Sequence, residues 1–153
     1  MRKYLLGTLA GVLLGGIPAP GQSIQASSGS GVAGKNLDIA VSIADAAGVS
    51  AVRWETTFPA QLLEIAHPPE TGQAASVSGK SLTCAQPKAY VYVCIVAGGR
   101  KSIRSGPIAV FHFKVRADAR RGTAIIRLDK VDAVTAKLEA VPLDRVDGEI
   151  DFQ

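Results

Sequence analysis

Residues 106–116 read Gly-Pro-Ile-Ala-Val-Phe-His-Phe-Lys-Val-Arg. Within them Ala109, Phe111, Phe113 and Val115 alternate with Val110, His112, Lys114 and Arg116. Successive side chains of a strand point to opposite faces, so this stretch is a strand with one face in a core and one toward water. The same period recurs upstream. Leu37, Ile39, Val41 and Ile43 alternate with Asp38, Ala40 and Ser42, and Val52, Trp54, Thr56 and Phe58 alternate with Arg53, Glu55 and Thr57. Ala124–Leu128 and Arg145–Phe152 read as further strands, and Leu63–Ala66 as a short one after a helical turn at Pro59–Leu63. Tyr90–Ala97 is apolar on both faces, which marks a central strand or one whose outer face meets a partner.

Gly48, Gly98-Gly99, Ser105-Gly106-Pro107 and Arg121-Gly122 punctuate these runs as turns. No sustained helical period occurs outside the N-terminal leader. The 153 residues suit one domain, with 16 Gly and 8 Pro spread along the chain. An antiparallel β-sandwich follows from many short strands joined by regular turns.

Residues 1–21 have the form of a secretory signal. Arg2 and Lys3 make a positive start, and the apolar run Leu5–Ile17 is broken by Gly15, Gly16 and Pro18 before it could span a bilayer comfortably. Cleavage is expected after Gly21 or, as a weaker match, after Ala26. No Cys follows the run, and no second hydrophobic stretch is present, so neither a lipid anchor nor a membrane span is expected after processing. The expected locations are secreted, periplasmic or cell-surface. Export makes a disulfide between Cys84 and Cys94, the two cysteines of the chain, the favoured reading; two buried free thiols are the alternative. Such a link would pin a hairpin in register. Two Cys without nearby His do not complete a zinc site, and no clustered Asp loop of the EF-hand type occurs. We expect no metal and no cofactor.

Half of the formal net charge of +4 comes from Arg2 and Lys3. The clusters Arg100, Lys101, Arg104 and Arg116, Arg120, Arg121 read as solvated turns, and no long basic stripe with stacking aromatics speaks for nucleic acid. His67 stands before Pro68-Pro69 in an expected loop, and His112 faces out from its strand. Neither has a third residue at metal-ligand or triad spacing. Glu55, Glu64, Asp129 and Asp132 are available as acids, but a flat sheet gives no cleft for paired carboxylates. We expect no catalytic residues and no enzyme. Trp54 could stack on a sugar, yet it shares parity with Val52 and Phe58, which places it in the core. Tyr90 and Tyr92 share a face with Cys94, and either anchor a partner or pack against a loop or the disulfide.

The order of these pieces resembles the cohesin domain, the jelly-roll receptor module of cellulosome scaffolds. Residues 34–43 (GKNLDIAVSI) are similar to its second strand. Residues 48–65 (GVSAVRWETTFPAQLLEI) resemble the strand that runs into an aromatic turn and then Leu-Glu-Ile. Residues 106–128 (GPIAVFHFKVRADARRGTAIIRL) and 146–152 (VDGEIDF) resemble the closing strands. The resemblance spans residues 23–153 and implies an all-β, nine-stranded antiparallel sandwich of jelly-roll topology over 22–153, standing as a solitary exported module. It makes Ser23–Ser28 the first strand, which favours cleavage after Gly21. Where cohesins carry polar Asn and Asp side chains on the third strand, this chain has Ala51 and Arg53. Its aromatic turn reads Phe58-Pro59-Ala60, without the Asp.

The resemblance also implies a contact face on the sheet of strands three, five, six and eight. Its outward residues would include Arg53, Glu55, Thr57, Tyr90, Tyr92, Arg127 and Asp129. The function expected is docking of an exported protein, dockerin-like or other. Carbohydrate binding to a polysaccharide is the alternative, and a structural subunit that pairs through an open sheet edge is a further one.

Overall fold

The computed structural model describes residues 21–153. The expected leader thus lies outside the described residues, apart from Gly21. In chain order the elements are β1 (Ser23–Ala26), β2 (Gly29–Gly31), β3 (Asn36–Ala44), β4 (Ala51–Thr57), β5 (Leu63–Thr71), α1 (Gln73–Val77), β6 (Ser81–Lys88), β7 (Val91–Ala97), β8 (Gly106–Val115), β9 (Gly122–Val134), β10 (Asp144–Val146) and β11 (Gly148–Phe152). They form a five-stranded sheet in the order β10-β1-β3-β8-β5 and a six-stranded sheet in the order β2-β11-β9-β4-β7-β6.

The core fills the space between the sheets. Ile39, Val41 and Ile43 of β3 and Phe111, Phe113 and Val115 of β8 face Val52, Trp54 and Thr56 of β4 and Ile126 and Leu128 of β9, all buried. Each large apolar side chain removed from water in this way contributes roughly 1.5–3 kcal/mol. Trp54 belongs to this layer, and its Nε1 donates to Thr56 Oγ1 at 2.9 Å, so its one polar atom is satisfied inside.

Two expectations need correction. Among the described residues the strands number eleven, not nine, and the sheets are mixed, not purely antiparallel: β1 pairs parallel with β10, and β2 parallel with β11. The cause is that the first and last strands each change sheets midway. At Ser27-Ser28 the chain leaves β3 for β11. Ser27 Oγ accepts from the Ala40 amide at 2.9 Å, while Ser28 Oγ accepts from the Glu149 amide at 3.0 Å, so adjacent hydroxyls tie the crossing to opposite sheets. The last strand crosses beside it at Asp147, whose Oδ1 accepts from the Leu128 amide at 2.9 Å. The two crossings lie so close that a Cβ on Gly148 would collide with the Ser27 carbonyl. Only glycine fits there.

Sequence reasoning also missed β6 and α1. Ser81–Lys88 alternates over only two apolar residues, Leu82 and Cys84, and five residues are too few for a helical period. The segment read as a loop at His67 is part of β5, which slips register on either side of it.

Candidate docking face

The outer face of the six-stranded sheet is built from strands β9, β4, β7 and β6. Register sets the rows. Asp132, Arg53, Ile95 and Thr83 stand across the sheet in one row, Asp129, Glu55, Val93 and Ala85 in the next, and Arg127, Thr57 and Val91 in a third. Arg53, Glu55, Thr57, Arg127 and Asp129 therefore do come together on one surface.

The face has two halves. Its β9–β4 half is charged and internally paired. A bulge in β9 opposite Trp54 puts Lys130 in the left-handed region (φ 47°) and brings its ammonium 3.4 Å from Glu55 Oε1. Arg53 lies 3.9 Å from the same oxygen, and Arg145 Nη1 donates to Asp129 Oδ1 at 3.0 Å. Arg127 has no carboxylate at ion-pair distance among the described residues. The β7–β6 half is apolar. Val91, Val93, Ile95 and Ala97 form its spine, and Ile95 is 43% exposed in mid-strand. A shallow groove of roughly 360 Å³ runs along it, lined by Thr83, Ala85, Val93, Cys94 and Ile95.

Tyr92 corrects the sequence reading. It points inward, 6% exposed, with its ring centroid 6.0 Å from Phe58 and 5.5 Å from Phe111. Burial pushes its phenol above the usual tyrosine range. Cys94 shares its parity and is buried beside it. Tyr90 sits in the β6–β7 turn at the corner of the face, half exposed, with Lys88 Nζ 5.8 Å from its ring centroid and its carbonyl accepting from the Phe58 amide. The residues that reasoning missed are Val91, Val93 and Ile95. The two-sided apolarity of Tyr90–Ala97 carried their signal, but the parity was assigned the wrong way round.

Cys84 and Cys94 form a disulfide. They are directly opposed in the β6–β7 register, and Cys94 stands opposite Trp54 on β4, so the link joins the edge strand to the core layer. The buried Lys80, just before β6, donates from Nζ to Ser50 Oγ at 3.2 Å and to the Gly99 carbonyl at 3.4 Å, and burial lowers its pKa. It thereby holds the loops at one end of the face together.

The other sheet carries the histidines. His112 Nδ1 is 2.7 Å from Asp38 Oδ1, and its Nε2 is 3.4 Å from Glu70 Oε2. The Asp38 hydrogen bond raises its pKa, with Glu70 adding to the effect against the opposing cost of burial. His67 packs beside it edge-on, at 6.1 Å between ring centroids. No group of three or more His, Cys, Asp or Glu among the described residues is placed to hold a metal ion. Of the acids considered for catalysis, Glu64 lies on this sheet against Arg116, away from Glu55, Asp129 and Asp132.

No protein-family model matches the sequence. No curated protein matches it either. The solved structures do. The sixth cohesin from scaffoldin B of Acetivibrio cellulolyticus, in complex with the Cel5 dockerin, superposes with a TM-score of 0.79 at 14% identity over 87% of this chain and 99% of that one. A cohesin of a type I cohesin–dockerin complex from Clostridium thermocellum gives 0.78 at 12% identity, covering 87% and 99%. The non-cellulosomal cohesin from the archaeon Archaeoglobus fulgidus gives 0.76 at 16% identity, covering 87% and 91%. The chain has the cohesin fold.

Proposed function

We propose that this chain is a non-catalytic docking module that binds an exported protein, of dockerin-like kind, through the outer face of its six-stranded sheet. The observation that carries the reading is the strip Val91-Val93-Ile95, which leaves aliphatic side chains on the solvent side of a sheet whose inner side is already a complete core. Val93 and Ile95 would anchor the partner, with Arg53, Glu55, Thr57, Tyr90, Arg127 and Asp129 as a polar rim that sets orientation. Support for a protein partner comes from solved relatives of this fold that are complexes with dockerins. Support for export comes from the Cys84–Cys94 disulfide, which persists in an oxidising compartment.

Affinity capture from the exported fraction of the source cells tests the reading. The unaltered domain is compared with Val93→Glu combined with Ile95→Glu. Both sites face solvent, so the fold survives, and recovery of the partner should fall at least tenfold. Equal recovery by both proteins would remove the face from consideration.

A further inference from the structure

Four strands end the two sheets: β10 and β5 in one, β2 and β6 in the other. An edge strand presents unpaired N–H and C=O groups to any other chain, and proteins blunt edges by shortness, proline, bulges or charge. Three of these edges are blunted. β2 and β10 are three residues long. β5 carries Pro68-Pro69, acidic Glu64 and Glu70, and two register slips. The fourth, β6, carries such devices only at its far end, where the register slips and Pro87 and Lys88 stand. From Ser81 to Ala85 its ladder to β7 is regular, and Ser81–Gln86 contains neither charge nor proline. No backbone group of β6 hydrogen-bonds to anything beyond that ladder among the described residues.

The disulfide defines which groups are open. The Cys84 and Cys94 Cα atoms are 4.2 Å apart, the short spacing of a non-hydrogen-bonded antiparallel pair. Thr83 and Ala85 therefore exchange their hydrogen bonds with Ile95 and Val93 of β7. The amides and carbonyls of Leu82, Cys84 and, before the register slips, Gln86 point away from the sheet.

We propose that β6 is a self-association edge: two copies of this chain pair their β6 strands antiparallel about a two-fold axis at Cys84, joining two six-stranded sheets into one. In that register Leu82 meets Gln86 of the second copy and Thr83 meets Ala85, so the paired stretch carries no charge; just beyond it Lys88 falls opposite Lys80, whose ammonium is turned inward onto Ser50 and the Gly99 carbonyl. A two-fold contact must be self-complementary, and this uncharged segment satisfies that demand. The disulfide ties β6 to β7, which lowers the entropy lost on pairing. The apolar groove of Thr83, Ala85, Val93 and Ile95 reaches the seam and continues into its copy on the far side. A single strand edge is a small contact, so the dimer forms in a concentration-dependent way. None of this rests on the docking reading.

Hydrogen exchange on the oxidised chain, purified as the cell makes it, is read at low and at high concentration. The amides of Leu82, Cys84 and Gln86 should become protected as concentration rises, while those of Thr83 and Ala85, already bonded to β7, should not change. Sedimentation gives the mass. Thr83→Lys with Ala85→Lys, and separately Thr83→Glu with Ala85→Glu, should each be monomeric, and mixing the two should restore a dimer. Both positions are exposed, and an intact Cys84–Cys94 link reports the fold of each variant. A monomer up to about 1 mM, concentration-independent exchange at Leu82 and Cys84, or a dimer indifferent to these substitutions overturns the proposal. Partner capture enters neither measurement, so failure here leaves the docking reading untouched, and the reverse.

Discussion

The two outer faces of this sandwich obey different rules. On the five-stranded sheet the solvent side is polar: Asp38, His112, Lys114, Glu64 and Glu70 surround one another, and His112 is held between two carboxylates. On the six-stranded sheet the β9–β4 half follows the same pattern apart from the exposed Ile125 near its end, but β7 does not, and Val91, Val93 and Ile95 stand in succession where polar residues belong. A sheet needs one apolar face to fold. The second apolar strip on β7 adds nothing to the core, and it is the feature on which the proposed docking face rests. The difference teaches that the informative strand is the one that breaks alternation, not the ones that keep it.

Neighbouring residues on β7 give the sharpest way to break the comparison. Tyr92→Ala empties a space between Phe58 and Phe111 and should destabilise the domain by about 3–5 kcal/mol, measured by denaturant unfolding. Val93→Ser, one residue along and on the opposite face, should stay within about 0.5 kcal/mol. Similar costs at the two sites would mean that the strip is structural. A second test addresses the edge. Cys84→Ala with Cys94→Ala should lower stability by about 2–3 kcal/mol, and the loss of exchange protection should concentrate in β6 and its ladder to β7.

The smallest expected effect lies on the other face. His112 has its pKa raised in the folded state, so it contributes stability that is fully present below the ordinary histidine range and is lost as pH rises through its raised value. Asp38→Asn removes the largest cause, and NMR titration should show the His112 pKa falling. The acid-side stability should drop by about 1 kcal/mol or less, with little change at alkaline pH. An unchanged titration would show that Glu70, not Asp38, governs the ring.

Much of the fold was legible because burial writes itself into period two. β3, β4 and β8 stand where Leu37–Ile43, Val52–Phe58 and Ala109–Val115 alternate, and Trp54 was placed by parity alone. Strand β6 was not legible, since an edge strand buries one side of one ladder and needs no apolar alternation. The two sheet crossings were invisible for another reason: they depend on single hydroxyls, Ser27 and Ser28, and on a glycine chosen by a neighbour more than a hundred residues away. The candidate face was legible in its charged half, because β4 alternates throughout and β9 alternates over residues 124–129, before the bulge at Lys130. The face was misread on β7, where both sides are apolar and nothing local says which one is inside. The Trp54–Cys94 pairing decides it, and that is a fact of register, not of sequence.

The crossings also bear on when folding can finish. Among the described residues β2 pairs with β11 alone and β10 with β1 alone, so the strand that follows the first crossing waits for the last strand. A ribosome releases the N-terminal segment long before Gly148–Phe152 exists. Until then Ile24 and Ala26 can settle against β3, but the closing ladder is absent and both sheets are left unsealed on that side. Closure of this domain is therefore an event of high contact order, and a chain interrupted before Gly148 would present open strands instead of a finished sandwich.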